Sequence, residues 1–257
     1  MTRPIARPWL PADDDMLPSL ALRGMQPRSA VLHNRNSTGL RKNSFVHRLR
    51  PAASIANIMQ FTAATISSVK SISQLALCRY WAEIAGNLQF ASLETFQPTA
   101  RLHDPKQLVV WNVERHAGTP TFRAVYQGRS VGEVFNEQWA GMSMEDIAPP
   151  PLRKFSIDAA HECAVSGDAV YTILSTADAN GHQVDCERLL LPLGHNGLVR
   201  QIVASLQLIS LKGTFERKSV LSNFKERSVV TFAARISARK ASARKMTAPA
   251  QHDDLAG

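Results

Sequence analysis

The chain of 257 residues is short of the features that would identify it quickly. Its three cysteines, Cys78, Cys163 and Cys186, are odd in number and include no CxxC pair, which suits reduced thiols in a cytosol better than a disulfide scaffold or a zinc site. Apolar runs are short: Leu189 to Leu193 and Ile202 to Leu211 fall well below the roughly 18 to 20 residues a bilayer span needs, and polar residues interrupt them. No apolar stretch with a small-residue cleavage site follows the arginines of the N-terminus, so a secretory signal is not expected. There is no GxxxxGK[ST] phosphate loop, no GxSxG elbow, no histidine-kinase phosphorylation box and no Gly-Gly-Asp-Glu-Phe cyclase signature. An enzyme is therefore not expected.

What is present is basic charge, unevenly placed. The formal net charge is +9, but residues 51–211 hold eleven Lys/Arg against fourteen Asp/Glu, whereas residues 1–50 hold nine against three and residues 212–257 ten against four. A nucleic-acid-binding domain carries its positive charge on its folded surface, and here the central region is slightly acidic. The basic flanks read as solvated tails; a nucleic-acid-associated protein acting through them is the alternative from a different functional class.

Residues 1–58 mix Pro, Arg, Asn and Ser without a sustained period, so they offer little apolar surface to offset the entropy of ordering and are expected to be a disordered tail. From Ser71 the pattern becomes helical. Ser71 and Gln74 form a capping box, Ile72, Leu75, Trp81 and Ile84 fall near one stripe, and Gly86 ends it. Gln107 to Glu114 and Thr121 to Gly128 are β-branched and aromatic with a turn between them, which predicts a hairpin. Short helical pieces follow over Val131 to Phe135 and Met144 to Ile147. Leu152, Phe155, Ala159 and Cys163 then set a longer helix ending at Gly167, and strands are expected over 169–177, 183–193 and 198–211. In the basic extension 212–257, Phe215, Leu221 and Phe224 with neighbouring Lys and Arg suggest an amphipathic helix, and Val229 to Phe232 a short strand.

Two strands, a helical crossover and three more strands are the plan of a PAS domain. Residues in order strengthen it: Arg79, Tyr80 and Trp81 with Glu83 and Ile84; Phe122, Gly128, Val131 and Phe135; Gly141 and Ile147; Glu187 and Leu190 to Leu193. Over about residues 75 to 210 the chain resembles the bacterial stand-alone PAS branch with an N-terminal "YW" helix and a "LLLPL" strand. The resemblance implies an α+β fold over 71–211, with a five-stranded antiparallel sheet, a helical segment over one face and a flanking N-terminal helix. It implies sensing or adaptor work in signalling: binding a small molecule or an unidentified signalling protein, without chemistry of its own. The flavin-photoreceptor variant carries an Asn-Cys motif on its short helix, which Phe135 to Ile147 does not match. Haem-binding relatives use a histidine near the long helix, and only His161 could serve; no cofactor is expected.

Trp111, Phe122, Tyr126, Phe135, Trp139, Met144, Phe155 and Tyr171 are the candidates for lining the cup between sheet and helices. His161, Glu162 and Cys163 are consecutive on a helix and so point about 100° apart, which argues against a metal or nucleophilic site. Arg123, Arg129, Glu187 and Arg188 lie near strands, to pair there or to hold a ligand's polar end. The strands LLLPL, IVASLQLISL and VVWNV are apolar on both faces, so the sheet's second face must be covered. The cover is expected from the 71–85 helix, a second subunit or both. A homodimer through Ile72, Leu75, Trp81 and Ile84 is the expectation.

Overall fold

A computed structural model describes residues 60–99, 103–178, 180–210, 213–215, 220 and 228–239. The expected tail over 1–58 lies outside them, as does most of the proposed amphipathic helix around Leu221 and Phe224.

The first helix, α1 (Ile72–Ala85), begins where the Ser71 hydroxyl accepts the Gln74 amide at 3.5 Å and ends at Gly86, whose φ of 55° few other residues adopt readily. Gln74, Leu77, Cys78, Trp81, Ala82 and Ala85 are its buried residues, one stripe at helical spacing. The predicted hairpin is β3 (Leu108–His116) and β4 (Thr119–Gln127), turned by Ala117 and Gly118, both at positive φ. Then come α2 (Arg129–Phe135), α3 (Met144–Ile147) and α4 (Pro150–Ser166), the last opened by prolines in its first turn and closed by Gly167 at φ 68°. Gly128, ahead of α2, has no room for a side chain: a Cβ there would lie 2.3 Å from the Lys106 carbonyl oxygen. The final meander is β5 (Ala169–Ala177), β6 (Gln183–His195) and β7 (Leu198–Ser210).

The expected five strands are contiguous in the order β4-β3-β7-β6-β5, all antiparallel. Among the described residues the sheet nevertheless has eight strands rather than five. β8 (Val229–Ile236) pairs antiparallel with β5, β1 (Thr62–Ala64) pairs parallel with β8, and β2 (Ala91–Ser92) runs parallel beside Leu193 and Gly194 of β6, beyond the end of the β5 pairing. β8 comes from the basic extension 212–257, and β1 from the stretch between the expected tail 1–58 and the 71–211 region. The β5 edge would otherwise present unpaired backbone groups, and β8 satisfies them. The described core therefore extends past both ends of the 71–211 region.

Directly opposed residues on neighbouring strands share a face, so the register sorts the sheet into two sides. Leu174, Cys186, Arg188, Leu190, Ala204, Leu206, Val109 and Trp111 face α2 to α4. Tyr171, Glu187, Leu189, Leu191, Val203, Ser205 and Val110 face the other way. The second face is covered within the chain by α1. Trp81 is fully buried there and its Nε1 donates to the Pro192 carbonyl at 2.9 Å. This corrects the assignment of Trp81 to a dimer surface: an indole with no exposed area cannot meet a partner. Leu75 and Ile84 pack partly against the same core, and of the four dimer candidates Ile72, at 86% exposed, is the outward one. Of the covers expected for the apolar second face, the helix of the same chain, α1, is the one the structure places there.

Candidate ligand site in the cup

Between the sheet and α2, α3 and α4 lies a cavity of about 160 Å³. β3, β5, β6 and β7 form its floor, through Val109, Trp111, Leu174, Leu190, Ala204 and Leu206; Phe135, Trp139, Met144, Ile147 and Leu152 close it from the helical side. The aromatic wall is continuous: Phe135 and Trp139 have ring centroids 4.9 Å apart, and Trp139 and Trp111 6.5 Å. The crossover segment is held in place by Gln127, which accepts the Trp139 amide at 2.7 Å and donates to the Glu137 carbonyl at 3.0 Å. An adjoining hollow of about 370 Å³, with more polar walls from Gln107, Ser130, Glu133 and Gln207, shares Phe135, Cys186 and Leu206 with it.

Four of the eight candidate lining residues, Trp111, Phe135, Trp139 and Met144, do line the cavity. The other four do not, each for a physical reason. Phe122 stands opposite Val113, two residues along β3 from Trp111, and is sealed in the core beyond the cavity. Tyr126 stands opposite Val110 and so points to the other face, its hydroxyl donating to the Pro105 carbonyl at 3.3 Å. Tyr171 is also on that face, where its hydroxyl donates to Glu187 Oε2 at 2.7 Å. Phe155 packs behind the wall, with its ring centroid 5.0 Å from the Arg188 guanidinium carbon.

The four charged candidates separate as well. Arg123 pairs with Glu114 at 3.1 Å and Arg129 with Glu133 at 2.8 Å, both exposed pairs of small energetic weight. Glu187 is buried under α1, whereas Arg188 reaches the cavity. Cys186 is also in the wall; burial pushes its thiol up to about 12, so it is a protonated, unreactive apolar surface at neutral pH.

His161, Glu162 and Cys163 diverge as helical geometry requires. His161 is exposed, Glu162 Oε1 accepts from Arg235 at 3.0 Å, and the Cys163 thiol is buried against the Leu190 carbonyl at 3.8 Å. His161 therefore faces away from the cavity, and its side chain does not fit a haem held in the cup. Among the described residues no cluster of His, Cys, Asp and Glu could hold a metal ion.

Under α1 a polar network joins helix to sheet. Glu187 Oε2 accepts the Ser71 amide at 3.0 Å as well as the Tyr171 hydroxyl, and that hydroxyl accepts the Lys70 amide at 3.2 Å. The Gln74 amide nitrogen donates to the backbone carbonyls of Glu187 and Ser205, and the Ser205 hydroxyl lies 3.1 Å from His103 Nε2. Burial holds His103 below the ordinary histidine value and raises the Tyr171 phenol, keeping the first neutral and the second protonated near neutral pH.

No protein-family model matches the chain, and no curated protein matches it. A solved structure described as "Structure of an RNA-binding Light-Oxygen-Voltage Receptor" is similar at 19% identity, over 51% of this chain and 38% of that one, with a TM-score of 0.29. The chain thus spans well under half of that receptor's chain. Among the described residues no helix is long and apolar enough to cross a membrane.

Proposed function

We propose that the chain is a PAS-type sensory or adaptor module of a bacterial signalling pathway, working in the cytoplasm, which binds a small molecule in the cup and does no chemistry of its own. The observation that carries this reading is the cavity: a hollow of about 160 Å³ walled by tryptophan, phenylalanine and aliphatic side chains between the sheet and the helices. Protein interiors rarely leave voids larger than a water molecule, and a concave apolar space with few polar groups is the usual form of a small-molecule site. The helical crossover supplies one wall and the sheet the other, so occupancy would bias how α2, α3 and α4 sit on β6 and β7. Such a bias is a population shift and requires the ligand to prefer one arrangement.

Comparing native and denatured masses of the purified chain tests the reading. A small molecule leaving the protein on denaturation is the expected result and identifies the chemical class of the signal. A native mass equal to the chain alone, with no added small molecule retained, contradicts ligand sensing and leaves a protein-binding adaptor. The same spectrum reports self-association, for which the outward Ile72 with the flanking Leu75 and Ile84 is the surface α1 offers to a second copy.

A further inference from the structure

The wall of the cup contains one group whose chemistry is out of place. Arg188 stands on the inner face of β6, opposite Thr172 of β5 and Leu206 of β7, in the middle of the sheet. Its Nε donates to the Thr172 hydroxyl at 3.3 Å and its guanidinium lies over the Phe155 ring, but its Nη2 is buried without a hydrogen-bond partner. No ion pair among the described residues includes it. Desolvation lowers its pKa only to about 10, so the group remains a cation at neutral pH. Arg188 is half-buried as a whole, but its Nη2 is closed off from water and idle, and a buried donor of a cation left without a partner is costly. An anion entering the void would compensate it.

We infer that the cup takes a compact, largely apolar carboxylate, whose head group pairs with Arg188 and whose body occupies the space between Trp111, Phe135 and Leu190. The inference rests on the reading of the cup as a ligand site and deepens it. The planar guanidinium matches a carboxylate in shape and can present two parallel N–H groups to it. Few other polar groups line the cavity: Ser156, the Cys186 thiol and Glu137, an exposed residue whose Oε2 accepts the Trp139 indole at 3.1 Å. One cation with so few supporting donors suits a single-charged head group. A phosphate, with more oxygens to satisfy, would leave several of them against hydrocarbon. Size sets the body: a cavity of about 150 Å³ is known to hold a benzene ring, so this one suits a single ring or a short branched chain. A flavin or a haem is far larger.

The test is a fluorine NMR titration of the full chain at neutral pH with two probes of the same size, para-fluorobenzoate and fluorobenzene, on the native protein and on Arg188→Met. The native protein is expected to bind both, the carboxylate about tenfold tighter or more, as one charge-assisted contact allows. Arg188→Met should keep its affinity for fluorobenzene and lose about 30-fold or more for para-fluorobenzoate, the scale on which a desolvated charge pair fails when one partner is removed. Retained fluorobenzene binding also certifies that the variant is folded. Should it not fold, Arg188→Gln, neutral but polar, is read the same way. If the native protein binds fluorobenzene and shows no preference for the carboxylate, or if the neutral variants bind para-fluorobenzoate undiminished, the inference falls while the ligand-site reading stands. Binding of neither probe overturns both.

Discussion

Trp81→Ala is expected to cost about 3–5 kcal/mol of folding stability, the range for removing a large aromatic side chain from a core. Its indole is fully buried between α1 and the sheet, and removing it also leaves the Pro192 carbonyl without its donor. Denaturant titration reads the loss as a lower midpoint. Ile72→Ala, nine residues earlier on the same helix and 86% exposed, is the control and should stay within about 0.5 kcal/mol of the parent. If Trp81 instead served an interface between copies, its substitution would shift the oligomeric state and leave the monomer's stability in place. The contrast decides whether α1 is a lid belonging to its own sheet.

The second large effect is expected at Glu187, 1% exposed beneath the start of α1. A single carboxylate oxygen accepts both the Tyr171 hydroxyl and the Ser71 amide, the group at the helix N-cap. Glu187→Ala strands the buried Tyr171 hydroxyl and the half-buried Ser71 amide, at roughly 1–3 kcal/mol each, so a loss of about 2 kcal/mol or more is predicted. Glu187→Gln keeps one acceptor oxygen and should lose less. Because Tyr171 and Glu187 share a bond, Tyr171→Phe and Glu187→Gln should be non-additive by about 0.5–3 kcal/mol in a double-mutant cycle. Additive effects would mean that the network does not act as a unit. Hydrogen exchange supplies an independent readout: the α1 amides should lose protection in Glu187→Ala before those of β6 and β7 do.

Much of this architecture could be read from the residues because it rests on period and punctuation. The Ser71–Gln74 cap, the Ala117–Gly118 turn, the prolines that open α4 and the Asn196–Gly197 turn each place an element end. The doubly apolar runs in β6 and β7 correctly called for a cover on the sheet's second face. What escaped were contacts between distant segments. β8 and β1 attach to an edge through backbone groups, which leave almost no trace in side-chain pattern, so the sheet looked like five strands.

The site was legible in composition but not in direction. Aromatic content pointed to the region of the cavity, which Trp111, Phe135, Trp139 and Met144 line. Choosing among aromatics needs the strand register, because a shift of one residue turns a side chain to the opposite face. A bulge between Val110 and Trp111 in the β3–β4 pairing alters that alternation, and Tyr126 ends on the far side. Period-two alternation along β6 was the available signal for the non-aromatic lining residues: Cys186, Arg188 and Leu190 on one face, Glu187 and Leu189 on the other. Adjacent Glu187 and Arg188 look like a surface ion pair in sequence. In the fold they lie on opposite sides of the sheet, one fastening α1 and the other facing the void.

Ala204→Leu distinguishes a preformed space in the cup from ordinary core. Ala204 is buried in the cavity floor, and three added carbons would enter the void. A preformed space gives an unchanged or higher Tm, by about 2–4 °C for each kcal/mol gained in a domain of this size, together with loss of fluorobenzene binding. A Tm lowered by the overpacking penalty of about 1–3 kcal/mol, with any binding of fluorobenzene unaltered, would contradict it.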